Sequence, residues 1–298
     1  MAQWQGKSKG NLLGYKIFVL CIKKLGIRIA YSVLIFVAFY FFITAWKSNK
    51  ALYYYLNKRH QFNALKTVFF MYGSYFRFGQ VLIDKIAIST GLRNRFTYDF
   101  DGIDILKELL AEKKGAILIS AHVGNFEVAE YFFADIDFDC QINLVTTDRE
   151  HTFIKAYFDS ISIKTNLNFI IVSEDMSHIF EINTCLSNNE IICFTGDRFF
   201  PGSKTLQEEF LGESALFPAG PFSIASRLKV PVAYVYVMKE NNLHYHLYTR
   251  RAEVKHRDAQ HLLQSYCASV EKIVKKYPLQ WFNYYDFWEV PTIEKKKR

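Results

Sequence analysis

The chain of 298 residues has little of what staples a small secreted fold together. It holds five cysteines, Cys21, Cys140, Cys185, Cys193 and Cys267, and no two of them form a C-x-x-C pair. An odd count without paired spacing argues against a disulfide framework and against a zinc site, so no metal centre is expected. Proline numbers six and glycine 14, and neither marks a low-complexity linker or an internal repeat. No G-x-S-x-G elbow occurs, so a serine nucleophile of that kind is not signalled. Nothing resembling an RNA- or DNA-binding signature accompanies the net charge of +8. What is abundant is apolar surface: 50% of residues are hydrophobic and 17% aromatic, which excludes wholesale disorder and supplies a core without disulfides.

The longest uncharged run is Ile29 to Trp46, IAYSVLIFVAFYFFITAW. As a helix it would reach ~27 Å, about the thickness of a bilayer core. Tyr31, Tyr40 and Trp46 suit the water–lipid interface. The run is too long and too aromatic for a cleaved signal peptide. A transmembrane or membrane-embedded helix near the N-terminus is therefore expected. Basic residues flank it evenly, Lys9, Lys16, Lys23, Lys24 and Arg28 before and Lys47, Lys50, Lys58, Arg59 and Lys66 after, so charge does not orient it. The scattered cysteines suit a reducing compartment and tip the C-terminal body towards the cytosolic side, with the anchor single-pass or monotopic. Phe69 to Ile88 repeats its apolar residues at helical spacing and reads as an interfacial or core-facing helix.

From Tyr98 onward the pattern alternates between helices and short apolar strands. Strands are predicted at Ala116–Ala121, Ile142–Thr146, Phe169–Val172, Ile191–Thr195, Val232–Met238 and Leu243–Tyr248. Helices are predicted at Ile103–Lys113, Asn125–Phe133, Thr152–Ser160, Met176–Ser187, Pro218–Leu228 and Ala259–Lys276. The alternation implies an α/β fold, a mostly parallel mixed sheet covered by helices on both faces. Residues 1–97 are read as anchor and interfacial helices, and 98–298 as the α/β domain.

The segment that carries chemistry reads AILISAHVGNFEVAEYFF. His122 follows an apolar strand, where sites of open α/β sheets collect. Asn125 suits a helix N-cap, and Glu127 then falls in the first turn, where the macrodipole favours its anion. Across such a corner Glu127 could hold one ring nitrogen of His122, leaving the other to take a proton from a hydroxyl or amine. Gly124 would let substrate approach the backbone, and N–H groups at the helix start could bind an oxyanion. Spacing alone leaves a structural His and Glu open. His244 and His246 share a strand face, but no third ligand is evident.

The longer pattern H-x-G-N-x-E, His122, Gly124, Asn125 and Glu127, resembles the lipid A biosynthesis acyltransferase family within the lysophospholipid acyltransferase superfamily, and its short members in particular. The resemblance continues through IICFTGDRFFPG with Asp197 and Arg198, through Phe217-Pro218-Ala219-Gly220-Pro221-Phe222, and into PLQWFNYYDFW with Gln280 and Trp281. Asn283 and Tyr284 stand where a basic or His-containing run is common in that family. The resemblance implies acyl transfer from an acyl carrier protein or coenzyme A thioester, with no bound cofactor, to a hydroxyl or amine of a lipid-like acceptor in the membrane. His122 would be general base and Glu127 its orienter. Gly124, Asn125, Arg149, Asp197, Arg198, Phe217 and Gly220 would contribute to substrate binding. A thioesterase using the same dyad, or a non-catalytic lipid-binding membrane protein, are the alternatives.

Overall fold

A computed structural model describes residues 20, 22, 24–129, 131, 140–146, 167–173, 175–199 and 202–288. Nine strands and seven helices are named among them. Three helices come first: α1 (Ile27–Thr44), α2 (Trp46–Tyr53) and α3 (Ala64–Ala87), with a π-helical turn at Tyr54–Arg59 between the last two. Asn63 caps α3 by accepting the Lys66 N–H at 2.9 Å. Helix α1 is the one described helix long and apolar enough to cross a membrane.

The sheet has seven strands in the order β1-β9-β8-β2-β5-β3-β4. They are β1 (Thr97–Asp101), β2 (Ala116–Ser120), β3 (Ile142–Thr146), β4 (Leu167–Ile171), β5 (Ile191–Thr195), β8 (Val232–Lys239) and β9 (His244–Arg251). Every pairing is parallel except β8 with β9, which form a hairpin. A separate antiparallel pair, β6 (Thr205–Phe210) and β7 (Glu213–Pro218), stands outside it. The remaining helices are α4 (Ile103–Ala111), α5 (Ser177–Ser187), α6 (Ala219–Arg227) and α7 (Ala259–Lys276).

Strand alternation sorts the core onto two faces. Ile117, Ile119, Ile192 and Phe194 pack with Leu262 and Tyr266 of α7. Leu118, Cys193, Val237 and Leu247 pack with Leu106 and Leu109 of α4. Both faces are apolar because both are covered, as a mainly parallel sheet requires. The N-terminal helices join this packing: Leu52, Tyr55, Met71 and Tyr75 lie in the first cluster, Ile83, Ile86 and Ala87 in the second.

The α/β expectation holds. Strands β3 and β5 and helix α7 have the predicted bounds. Three strands were not predicted, β1 and the β6–β7 pair, because TYDFD and TLQEEF carry too many acids to read as buried strands. The helix predicted over Asn125–Phe133 begins instead as a 3-10 turn, Phe126–Val128. The helix predicted over Thr152–Ser160 lies outside the described residues.

Candidate active site

Ser120 of β2 pairs with Thr195 of β5 in parallel register. His122 and Asp197 each lie two residues beyond those partners, so equal overhangs bring them level at the carboxyl end of the sheet. The ring nitrogen Nδ1 of His122 is 2.7 Å from Asp197 Oδ1. The His122 backbone N–H donates to Asp197 Oδ2 at 3.0 Å, and the Trp281 indole N–H donates to the same oxygen at 3.1 Å. Asp197 is buried, while the His122 side chain keeps 29% exposure. The carboxylate is thus inside and saturated with donors; the imidazole reaches outward.

Burial by itself would raise the Asp197 pKa. The charge and hydrogen bond of His122, the Arg198 guanidinium and the His122 N–H outweigh burial and bring it down to about 2. An ionised carboxylate only accepts, so Nδ1 carries the proton and Nε2 is the basic nitrogen of the neutral ring.

A short antiparallel clip from the C-terminal part of the chain holds the motif. Val123 bridges Trp281, the Gly124 N–H donates to Gln280 O at 2.8 Å, and the Phe282 N–H donates to His122 O at 3.0 Å. Arg198 Nη2 donates to Phe282 O at 2.6 Å, fastening the clip from the Asp197 side. The Gln280 amide accepts the Lys239 N–H at 2.9 Å and donates to the Lys239 carbonyl at 2.6 Å. Trp281 itself is buried among Tyr55, Phe210, Phe287 and Trp288. Its aromatic neighbourhood fixes the indole plane, and with it the donor aimed at Asp197.

Gly124 is required here for a different reason than substrate access. Its φ is +58°, and a Cβ would fall 2.1 Å from the Val237 carbonyl oxygen. The turn is pressed against β8, not held open. The expected oxyanion donors are corrected likewise: the Gly124 N–H is taken by Gln280 O and the Asn125 N–H by Val237 O at 2.7 Å. Asn125 makes no capping bond. Its side chain is buried and donates to Val81 O and to Tyr245 Oη, both at 3.2 Å, so it ties the turn to α3 and β9 in place of facing a ligand.

The other predicted site residues separate. Glu127 lies in the 3-10 turn, and its side chain is outside the described residues, as is Arg149. Phe217 is 1% exposed and packs on Phe210, Tyr266 and Phe287, within the aromatic cluster around Trp281. Gly220 lies exposed in the first turn of α6, with nothing within 4 Å of where a Cβ would sit. An apolar cavity lies on the sheet face below the motif, with Leu118, Phe126, Ala129, Cys193 and Val237 in its wall.

Sequence reasoning missed a second polar centre under the turn. Asp84 of α3 accepts from Lys239 Nζ at 2.6 Å, from Tyr245 Oη at 2.5 Å and from Tyr31 Oη of α1. Asp84 and Lys239 side chains are both 0% exposed. A lone acid inside the apolar stretch Val81-Leu82-Ile83-Asp84 and a lysine ending an apolar strand were the available signals.

The family model for bacterial lipid A biosynthesis acyltransferases matches residues 65–288 of this chain. No curated protein matches it.

Proposed function

The chain belongs to the bacterial lipid A biosynthesis acyltransferase family, and on that premise we propose that it moves a fatty acyl chain from a carrier-protein or coenzyme A thioester to a hydroxyl or amine of a lipid-like acceptor. The observation that carries this reading is the His122–Asp197 contact, a half-exposed imidazole held by a buried, ionised carboxylate. His122 Nε2 takes the proton of the acceptor as its oxygen or nitrogen attacks the thioester carbonyl. Collapse of the tetrahedral intermediate breaks the carbon–sulfur bond, and the imidazolium returns the proton to the departing sulfur as thiol. Asp197 stays ionised throughout and stabilises the imidazolium. Glu127 is proposed as a second carboxylate of the site, and Arg198 and Arg149 as cationic groups for the donor's phosphates.

The membrane supplies the acceptor in this reading. Phe36, Tyr40 and Ile43 recur at helical spacing on the outer side of α1, with Trp46 at the start of α2; Phe36 is 76% and Trp46 80% exposed. Leu65 and Phe69 of α3 add 77% and 74% exposed side chains, and Lys47, Lys50 and Lys66 lie exposed close by in the sequence. Apolar residues flanked by lysines suit an anionic bilayer surface. The proposed localisation is the inner membrane with the site on its cytoplasmic side.

The test is thiol release from dodecanoyl-coenzyme A by the full-length protein in detergent, with and without extracted membrane lipid. His122→Ala should cut turnover about 10³-fold while the protein stays folded, since acid–base groups contribute on the order of 10²–10⁴-fold. Turnover equal to wild type in that variant would sink the assignment. Release that ignores the acceptor would mark a thioesterase.

A further inference from the structure

Helix α1 is joined to the body by more than apolar contact. It runs antiparallel along α3: Tyr31 meets Asp84, Leu34 meets Gly79, and Phe42 meets Tyr72. At Gly79 a Cβ would fall 2.2 Å from Leu34 Cδ1, so the glycine lets the two helices close on each other. The Tyr31 hydroxyl then ends on Asp84, at the centre of a sealed network. Asp84 Oδ2 accepts from Lys239 Nζ and from Tyr245 Oη, and Lys239 Nζ also donates to Asn242 O at 2.7 Å. Tyr245 Oη in turn accepts from Asn125 Nδ2, in the turn that follows His122. Lys239 carries on its main chain the Gln280 amide that fastens the clip over His122. Two separate routes therefore lead from one buried carboxylate to the residues on either side of the imidazole.

We propose that Asp84 is a positioning residue for the acyl-transfer site, tying α1 through Tyr31 to the Asn125 turn and the Gln280 clip, so that α1 is a working part of the catalytic unit and not a tether alone. A tether needs lipid contact only. It gains nothing from a polar hydroxyl turned inward onto a fully buried carboxylate, and burying such groups is costly unless they are mutually satisfied. Here every oxygen of the carboxylate has a donor. The network shares no atom with the His122–Asp197 pair, so it acts on the site through backbone placement. Displacements on the order of 1 Å in a reacting group cost up to about 10²-fold in rate.

The inference rests on the acyltransferase reading, and its test separates the two. Tyr31→Phe, Tyr245→Phe and the double variant each remove hydroxyls without leaving a charge unpaired. The full-length proteins are compared for dodecanoyl-coenzyme A turnover per folded molecule, binding to anionic vesicles, and amide exchange of residues 122–128. The double variant should lose about tenfold in kcat with KM and vesicle binding within about twofold of wild type, and exchange at 122–128 should rise, with each single variant lying between. Wild-type kcat together with wild-type exchange in the double variant would overturn the proposal, as would a loss of kcat that merely tracks the unfolded fraction. If the wild type consumes neither dodecanoyl-coenzyme A nor the dodecanoyl carrier-protein thioester, the acyl-transfer reading fails, while the exchange comparison still decides whether Asp84 holds the turn.

Discussion

Two buried aspartates, Asp197 and Asp84, each gather three donors, yet they serve different ends. Asp197 faces a partner that reaches the surface: the His122 side chain is part-exposed. Asp84 faces a partner that is sealed, Lys239, and the hydroxyls beside it are tied to it as well. The same local chemistry leaves an imidazole open to the surface where the partner is part-exposed, and a closed rivet where it is not. Access, rather than the hydrogen-bond count, separates them.

That contrast can be broken most forcefully at the rivet. Asp84→Leu leaves the Lys239 ammonium buried without an anion, and should lower unfolding stability by about 3–5 kcal/mol in denaturant titration. A stable, fully folded variant would contradict the sealed pair. At the other aspartate the effect should fall on rate. Asp197→Asn removes the negative charge that fixes the Nδ1 proton, and kcat should drop about 10²-fold with a smaller change in stability. Equal rates would show that the ring needs no carboxylate there.

Acid sharpens the comparison further. The Asp197 pKa is depressed from its ordinary 3.8 to about 2. Its contribution is fully present above the unfolded-state value and is lost as pH falls through about 2. The shift corresponds to roughly 2 kcal/mol. Between about pH 5 and pH 2 the wild type should therefore lose more stability than Asp197→Asn, measured by chemical denaturation at each pH. Parallel curves would mean the carboxyl is not depressed. The smallest effect is expected from Trp281→Phe, which removes one donor to Asp197 but keeps most of the aromatic packing. About 1.5 kcal/mol of stability and a few-fold in kcat should go, the lower end of the range for a single hydrogen bond to a charged group.

Much of this architecture was legible in the chain. Apolar runs such as Ile191–Thr195 are strands because both faces of the sheet are covered, and periodicity finds them. The place of His122 beyond a strand end was legible because it follows such a run. Its partner was not. Proximity in sequence nominates Glu127, five residues on, whereas the structure brings Asp197 from 75 residues away. Which parallel strands become neighbours is a property of the whole sheet and leaves no local trace. Asn125 was misread as a cap for a related reason: its amide has better partners in Val81 O and Tyr245 Oη, which only tertiary packing supplies. Gly124 was read as leaving room for substrate, and the close neighbour in the fold is the chain's own β8 carbonyl.

The clip made by Gln280, Trp281 and Phe282 has a consequence for how the protein is made. His122 depends on hydrogen bonds to partners as distant as Phe282 in the chain, and Asp197 on the indole of Trp281. A nascent polypeptide can build β2 and β5 early, but the backbone around His122 lacks its clip until residue 282 clears the ribosome. Long-range pairings of this kind form slowly. Completion of the turn after His122 is thus among the final events of maturation, reached after the N-terminal helices and most of the sheet have been synthesised.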